Sequence, residues 1–146
     1  MSNPGPAVTT STHPSNLSSQ QALRVIAVQK GVSVAALGDI AIQVNNSSLY
    51  APVTIVVANA NNAGANVDVS SVNLGVYTAK AKGGTAVLTA AALTSQTTQP
   101  YVTVSAVSTP TTAETVQTLY VNISVATATA TVDVYVYGYD LSSGTY

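Results

Sequence analysis

The alternation of hydrophobic and polar residues is clearest near the end of the chain, in residues 119–141. Aliphatic side chains occupy every second position in both halves of this stretch: Leu119, Val121, Ile123 and Val125, then Val132, Val134 and Val136. Successive side chains of a strand point to opposite faces, so this alternation predicts two strands, each with one buried face. We interpret the two strands as a hairpin around which the rest of the fold is organised.

Tyrosines fill the alternate positions of the second predicted strand, at Tyr135, Tyr137 and Tyr139. A tyrosine side chain has a large rigid apolar body and a polar tip, and rows of such side chains suit contact surfaces. Two interpretations stay open at this point. The row faces a partner, or it fills a second buried face of a sandwich, since aromatic residues are ordinary strand formers.

The rest of the chain is predicted to form short strands separated by turns. The predicted strands are residues 22–29, 32–37, 40–44, 50–58, 67–79, 85–91 and 101–107. Turns are predicted at residues 30–31 and 80–84, an asparagine-rich loop at residues 59–66, and helical turns at residues 90–93 and 111–114. A change of register at Ser70 and Ser71 predicts a bulge or a break. Eight to ten short strands with such spacing predict an all-β fold, an antiparallel β-sandwich or jelly roll.

The first 21 residues differ from the rest, because they contain three prolines and no Asp, Glu, Lys or Arg. Such a stretch cannot pack a core and is predicted to be an extended arm. We divide the chain into this arm (residues 1–21), a β-sandwich domain (residues 22–141) and a short C-terminal tail (residues 142–146). The arm is expected to run over another subunit, held by backbone hydrogen bonds and by contacts from Val8 and Leu17. Residues 7–12 favour addition to an exposed sheet edge.

Composition narrows the possible functions. Only 6% of the residues are charged and the net charge is -1, whereas charged residues make up about a quarter of an ordinary soluble domain. Little repulsion keeps copies apart, which predicts a protein that works in an assembly. Four basic residues cannot neutralise a phosphate backbone well, so no nucleic-acid partner is expected. No apolar run approaches a membrane span, and the N-terminus lacks the features of a secretory signal, so synthesis in the cytoplasm is expected.

No catalytic, cofactor or metal site is expected. The single histidine, His13, lies in the arm, where nothing local would orient it as a base. The carboxylates are expected to serve turns, apart from one aspartate on an exposed strand face. The asparagine-rich loop lacks the bidentate glutamate of a calcium loop. Lys80 and Lys82 are expected to protect a strand edge against pairing. There is no cysteine.

Four stretches carry a resemblance to a known class of protein. They are G-D-I-A-I at residues 38–42, G-V-Y-T-A-K-A-K-G-G-T-A-V-L at residues 75–88, T-L-Y-V-N-I at residues 118–123, and A-T-V-D-V-Y-V-Y-G-Y-D-L at residues 130–141. In these turn and strand patterns residues 22–141 resemble small structural proteins encoded near the head genes of tailed bacteriophages. The resemblance implies a virion component, most commonly a capsid decoration or cement protein, and no catalytic residues.

The expected function is therefore that of a non-enzymatic capsid decoration protein. It would form a homotrimer on the outer capsid surface of a virion, bind the major capsid protein and stabilise the head, after synthesis in the host cytoplasm. Two alternatives stay open. One is a receptor- or glycan-binding module of a tail fibre or spike, suggested by the tyrosine row and residues 59–66. The other is a subunit of an extracellular pilus or surface filament, in which the arm donates a strand.

Overall fold

The computed structural model describes residues 23–45, 47–93, 101–104, 113–127 and 129–142, and for residues 101–104 it describes the backbone alone. The predicted arm, including Val8, His13 and Leu17, lies outside the described residues, as does most of the predicted tail. Every regular element in the described part of the chain is a strand: β1 Arg24–Ser33, β2 Gly38–Gln43, β3 Tyr50–Asn62, β4 Ala65–Asn66, β5 Asn73–Ala79, β6 Gly83–Ala92, β7 Tyr101–Val104, β8 Thr118–Val125 and β9 Thr131–Asp140.

The strands form two antiparallel sheets packed against each other. The first sheet has the order β1-β9-β3, with β4 and β7 both pairing to the far side of β3, and the second has the order β2-β8-β5-β6. The aliphatic residues that alternate along the strands meet between the sheets and form one core. The predicted all-β antiparallel sandwich is thus confirmed.

The pairing of the strands is nested. β1 pairs with β9, β2 with β8, β3 with β7 and β5 with β6, so early strands pair with late ones and the tight β5–β6 hairpin is innermost. Two further pairings, β3 with β9 and β5 with β8, join these pairs into sheets. The chain therefore resembles a long two-stranded ribbon that has been folded over on itself.

The predicted hairpin of residues 119–141 is wrong, although both of its strands exist. β8 lies in the second sheet between β2 and β5, whereas β9 lies in the first sheet between β1 and β3. Val121 and Val134 are both fully buried, but they enter the core from opposite sheets. Alternation specifies that a strand has a buried face, and it does not specify which strand lies beside it.

Several predicted turns and loops are strand instead. β1 continues through Lys30 and Gly31, where a register shift and the positive φ of Gly31 (66°) mark a bulge. β3 continues through the predicted loop as far as Asn62 and pairs with the short strand β4. Residues 90–92 are strand, so the helical turn predicted there does not form. Residues 111–112 of the second predicted helical turn lie outside the described residues, and Glu114 forms a β-bridge with Tyr50.

Two local predictions are confirmed. Residues 67–72 are irregular with a turn at Ser70 and Ser71, and β5 starts only at Asn73. The β5–β6 hairpin turns at residues 80–82, but Ala81 and Lys82 carry positive φ angles, and of the two glycines that follow only the second does.

Tyr50 and Gly138 show how closely the described residues are packed. Tyr50 is fully buried, and its hydroxyl donates a hydrogen bond to the backbone oxygen of Val116 at 2.9 Å. Burial, and secondarily the charge of Glu114, raise the pKa of Tyr50 far above its usual value. At Gly138, an added Cβ would lie 2.3 Å from the backbone oxygen of Ala51 on β3. Only glycine fits this approach of β9 to β3.

Candidate functional site

The outer surface of the first sheet carries the predicted tyrosine row. Val132, Val134 and Val136 of β9 are fully buried, so the alternate side chains of this strand point away from the core. Together with outward-facing neighbours on β1 and β3 they form a surface that we call the tyrosine face, made up of Tyr135, Tyr137, Tyr139, Val25, Val28, Thr54 and Val56.

The strand register surrounds the tyrosines with aliphatic side chains. Tyr135 lies between Val28 on β1 and Val56 on β3, and Tyr137 is paired with Val25 on β1. The rings of Tyr135 and Tyr137 stack, with centroids 6.5 Å apart and planes inclined by 28°. Both residues are half-buried and Tyr139 is 37% exposed. The row is thus a partly exposed outer surface and does not fill a second buried layer.

The tyrosine face extends to the end of the sandwich at which β1 begins. Leu23, which is 48% exposed, and the exposed Leu141 lie beside the exposed Tyr139 at this end, because Arg24 pairs with Gly138 across β1 and β9. Arg24 also forms an ion pair with Asp140 at 3.1 Å. Burial raises the pKa of Asp140, but hydrogen bonds from Ser142 and Ser47 and the charge of Arg24 outweigh this and keep it below its usual value.

Asp133 anchors the other end of the row. Its carboxylate accepts hydrogen bonds from the backbone N–H of Gly31 at 2.9 Å and from Nδ2 of Asn59 at 2.7 Å. Gly31 lies in the bulge of β1, and Asn59 has a positive φ of 53° in β3. The side chain is 9% exposed, so the expectation of an aspartate on an exposed strand face is wrong for Asp133. It fastens irregular positions of both neighbouring strands to β9.

A second cluster lies on the outer face of the second sheet. Asp39 accepts hydrogen bonds from Nδ2 of Asn122 at 2.7 Å and from the backbone N–H of Ala81 at 2.8 Å. These two hydrogen bonds, and then the charge of Lys80, lower the pKa of Asp39 against a small effect of burial. The ammonium group of Lys80 stands 5.8 Å from the ring centroid of Tyr120. A carboxylate, an ammonium group and an aromatic ring thus share one exposed patch.

An open cleft of about 250 Å³ lies where β1 and β3 end and β9 begins. Its walls carry hydroxyl and amide groups and short apolar side chains, with no charged residue: Ser33, Ala35, Asn61, Asn62, Thr129 and Thr131 are among the lining residues. Asn61 is already engaged, because its Oδ1 accepts a hydrogen bond from the N–H of Gly64 in the β3–β4 hairpin.

The candidate residues of the sequence fall into separate places. The three tyrosines lie together on one surface, whereas Val8 and Leu17 are outside the described residues. Lys80 and Lys82 lie in the β5–β6 turn beside the edge strand β6, and Lys80 additionally covers Tyr120. The described residues contain no group of three or more His, Cys, Asp or Glu side chains placed to hold a metal ion.

Sequence reasoning missed the link between Asp39 and Asn122 and the role of Asp133. The available signal was the presence of polar residues at positions within otherwise apolar strands. The side chain of Asn122 is only 8% exposed, and its Oδ1 is buried without a hydrogen-bond partner among the described residues. The burial of Asn122 depends on which strands pair, and the presence of a polar residue in an apolar strand does not specify that pairing.

Comparisons with known proteins identify no relative of this chain. No family model matches the chain, and neither a curated protein nor a solved structure matches it. The resemblance to phage structural proteins therefore rests on the quoted stretches of the sequence alone. No helix in the described ranges has the length and hydropathy needed to cross a membrane.

Proposed function

We propose that this protein is a non-enzymatic virion structural protein that decorates a bacteriophage head and stabilises it from outside. The observation that carries this proposal is the tyrosine face. It combines three tyrosines with the aliphatic side chains of Val25, Val28 and Val56 on an outer surface. Partly exposed apolar surfaces of this kind mark sites of protein–protein contact, and tyrosine is enriched in such contacts.

The two outer surfaces of the sandwich differ in polarity, as expected if only one of them contacts a partner. The second sheet presents polar side chains beside Tyr120, among them Asp39, Gln43 and Thr118. The first sheet presents the tyrosine face. With a net charge of -1, the molecule offers little repulsion to neighbouring copies. These features support a permanently assembled protein with the first sheet turned toward a partner.

The nested strand pairing supports the jelly-roll form of the sandwich. Setting aside the short strand β4, eight strands lie in the orders β1-β9-β3-β7 and β2-β8-β5-β6, as expected for a rolled two-stranded ribbon. Jelly rolls of eight strands form domains of viral capsids and of lectins. This argument is an analogy between folds and weighs less than the tyrosine face.

In the proposed arrangement the protein forms a trimer on the outer capsid surface and binds the major capsid protein. Several weak contacts to neighbouring capsid subunits multiply into firm attachment when they belong to one oligomer. The proposal involves no cofactor, no nucleic acid and no membrane. The protein would be made in the host cytoplasm and incorporated into the virion.

A reconstruction of the particle by electron cryomicroscopy, with mass spectrometry of purified particles, tests the proposal. Density for the sandwich at outer positions between capsomers is expected. Replacing Tyr135 and Tyr137 together by serine should lower the occupancy of these positions, whereas replacing Tyr120 by serine on the other sheet should not. Density at the tail tip or inside the shell, or absence of the protein from the particle, would exclude a decoration role.

The cluster on the second sheet favours one other candidate, a glycan-binding module of a tail fibre or spike. Asp39 is held in place by two hydrogen bonds, and beside it lie the amine of Lys80 and the ring of Tyr120. Hydroxyl groups of a sugar can donate to the carboxylate and accept from the amine, while the apolar face of the sugar ring packs on the phenol ring. A glycan array with wild type and Asp39→Asn decides this candidate. No signal from wild type, or equal signal from both, counts against it.

A further inference from the structure

We propose that the N-terminal segment of one copy docks on the tyrosine face of a second copy. The segment comprises the 22 residues that precede Leu23, and it would lie along Tyr135, Tyr137 and Tyr139. The inference rests on the proposed function in one respect, the assembly of several copies. It adds the occupant of the face and the way in which copies are linked.

The position at which the segment joins the sandwich favours this arrangement. Leu23 lies beside Tyr139 at the end of the tyrosine face, since Arg24 pairs with Gly138 and Val25 with Tyr137. Leu23, Tyr139 and Leu141 leave exposed apolar surface there. In a symmetric assembly the segment of one copy would cover this apolar surface on the next copy. The same surface of the first copy would be covered by the segment of another copy.

The composition of the segment matches the surface. It has no Asp, Glu, Lys or Arg, so among its side chains only a protonated His13 would have to be desolvated as a charge. Pro4, Pro6 and Pro14 have fixed φ angles, which reduces the entropy that docking must remove. Extended proline-containing segments bind to surfaces lined with aromatic side chains in several recognition domains. The stacked Tyr135 and Tyr137 provide such a surface.

Length and direction favour a second copy over the same copy. Twenty-two extended residues span about 70 Å, whereas the 10 residues of β9 span about 33 Å. A segment of this length can therefore reach well beyond one sheet when it is extended. β1 runs away from Leu23 into the sheet, so the segment is joined to the sandwich at that end. To lie on its own tyrosine face the chain would have to reverse at once beside the Arg24–Asp140 ion pair.

The absence of cysteine from the chain allows a direct cross-linking test with full-length protein. One variant carries Val8→Cys in the segment, and a second variant of different mass, lengthened by a tag, carries Thr54→Cys on the tyrosine face. The two are mixed, allowed to exchange subunits and oxidised, and the products are separated on a non-reducing gel. A matched control replaces Thr54→Cys by Ala41→Cys, an exposed position on the second sheet.

We expect disulfide-linked pairs of the two variants, formed at least about tenfold faster than with Ala41→Cys. Equal rates for both partners would overturn the proposal. A double variant, with Val8→Cys and Thr54→Cys in one chain, tests whether the segment covers the tyrosine face of its own chain. If it closes an internal disulfide while the mixture yields no linked pair, the segment covers its own face and the proposal fails.

A second measurement does not depend on the chosen cysteine positions. Light scattering should show that Tyr135→Ser with Tyr137→Ser raises the dissociation constant of the oligomer by tenfold or more, as expected for loss of aromatic contacts. Tyr120→Ser should leave it unchanged, and circular dichroism identifies any variant that fails to fold. An unchanged oligomer in the folded double variant overturns the proposal. Both experiments use isolated protein, so this proposal can fail while the protein still binds the particle. Equally, the protein can fail to bind the particle while this proposal holds.

Discussion

Replacement of Asp133 by alanine is expected to destabilise the fold, because this side chain links β9 to both of its neighbouring strands. Asp133 is 9% exposed, and its carboxylate accepts two hydrogen bonds, from the N–H of Gly31 and from Nδ2 of Asn59. Both donors belong to irregular positions of the strands that flank β9. Alanine would remove the acceptor of both donors, although water can replace it in part because Gly31 and Asn59 are exposed.

The magnitude follows from the number and kind of these bonds. The net contribution of a hydrogen bond is about 0.5–1.5 kcal/mol where water can replace the lost partner. Two bonds lost together therefore correspond to about 1–3 kcal/mol. The free energy of unfolding of a small domain is about 5–15 kcal/mol, so the loss should be measurable without unfolding the domain.

Urea unfolding followed by circular dichroism measures this loss, with Asp133→Asn and Asp68→Ala as companions. The asparagine variant would keep an acceptor for the N–H of Gly31, and rotation of the Asn59 amide restores the second bond, so the loss should be clearly smaller than for alanine. Asp68 accepts a bond from the N–H of Ser70 in an exposed turn, and its loss should shift the midpoint little. A loss below about 0.5 kcal/mol for Asp133→Ala would refute the reasoning.

Three further changes have definite expected outcomes. Gly138→Ala should lower the free energy of unfolding by about 3 kcal/mol, because the new methyl group overlaps the β3 backbone. Gly64 has open space around it and a φ of 92°, so Gly64→Ala should cost only about 1–2 kcal/mol of backbone strain. Tyr50 keeps its proton in the fold, whereas the unfolded chain releases it near pH 10, so stability should fall above that pH, and less so in Tyr50→Phe. The lowered pKa values of Asp39 and Asp140 stabilise the fold above about pH 4, and this stabilisation should be lost on acidification.

Urea titrations at several pH values check all three. A Gly138→Ala variant as stable as wild type would contradict the close approach of β9 to β3. Equal alkaline losses in wild type and Tyr50→Phe would show that Tyr50 ionises in the fold. Asp39→Asn should weaken the acid dependence, and an unchanged acid dependence would contradict the lowered pKa of Asp39.

The parts of the fold that follow from local chemistry could be predicted from the sequence. The alternation in residues 119–141 identifies both strands and their buried faces, apart from Val125 at the end of β8, which is 44% exposed. The break at Ser70 and Ser71 follows from the change of register, and the β5–β6 turn from the small residues around Lys80. In each case the signal lies within a few residues of the feature, so no knowledge of the rest of the fold is needed.

Features that depend on distant residues could not be predicted in this way. Gly31 is typical of a turn, yet it forms a bulge because β9 continues alongside β1 and Asp133 accepts its N–H. The asparagines of residues 59–62 are typical of a loop, yet β3 extends through them because Thr131 of β9 and the short strand β4 lie alongside. Partners that are distant along the chain take part in both outcomes.

Strand pairing also decides what the tyrosine row can do. In the predicted hairpin, Tyr135 and Tyr137 would share their face with Tyr120, Asn122 and Ser124 of the other arm. That mixture of amides, hydroxyls and phenols would form an ordinary wet surface. In the nested pairing the neighbours of β9 are β1 and β3, whose outward residues are mainly valines. The same alternation along β9 therefore yields an apolar contact surface only because its partners come from the first half of the chain.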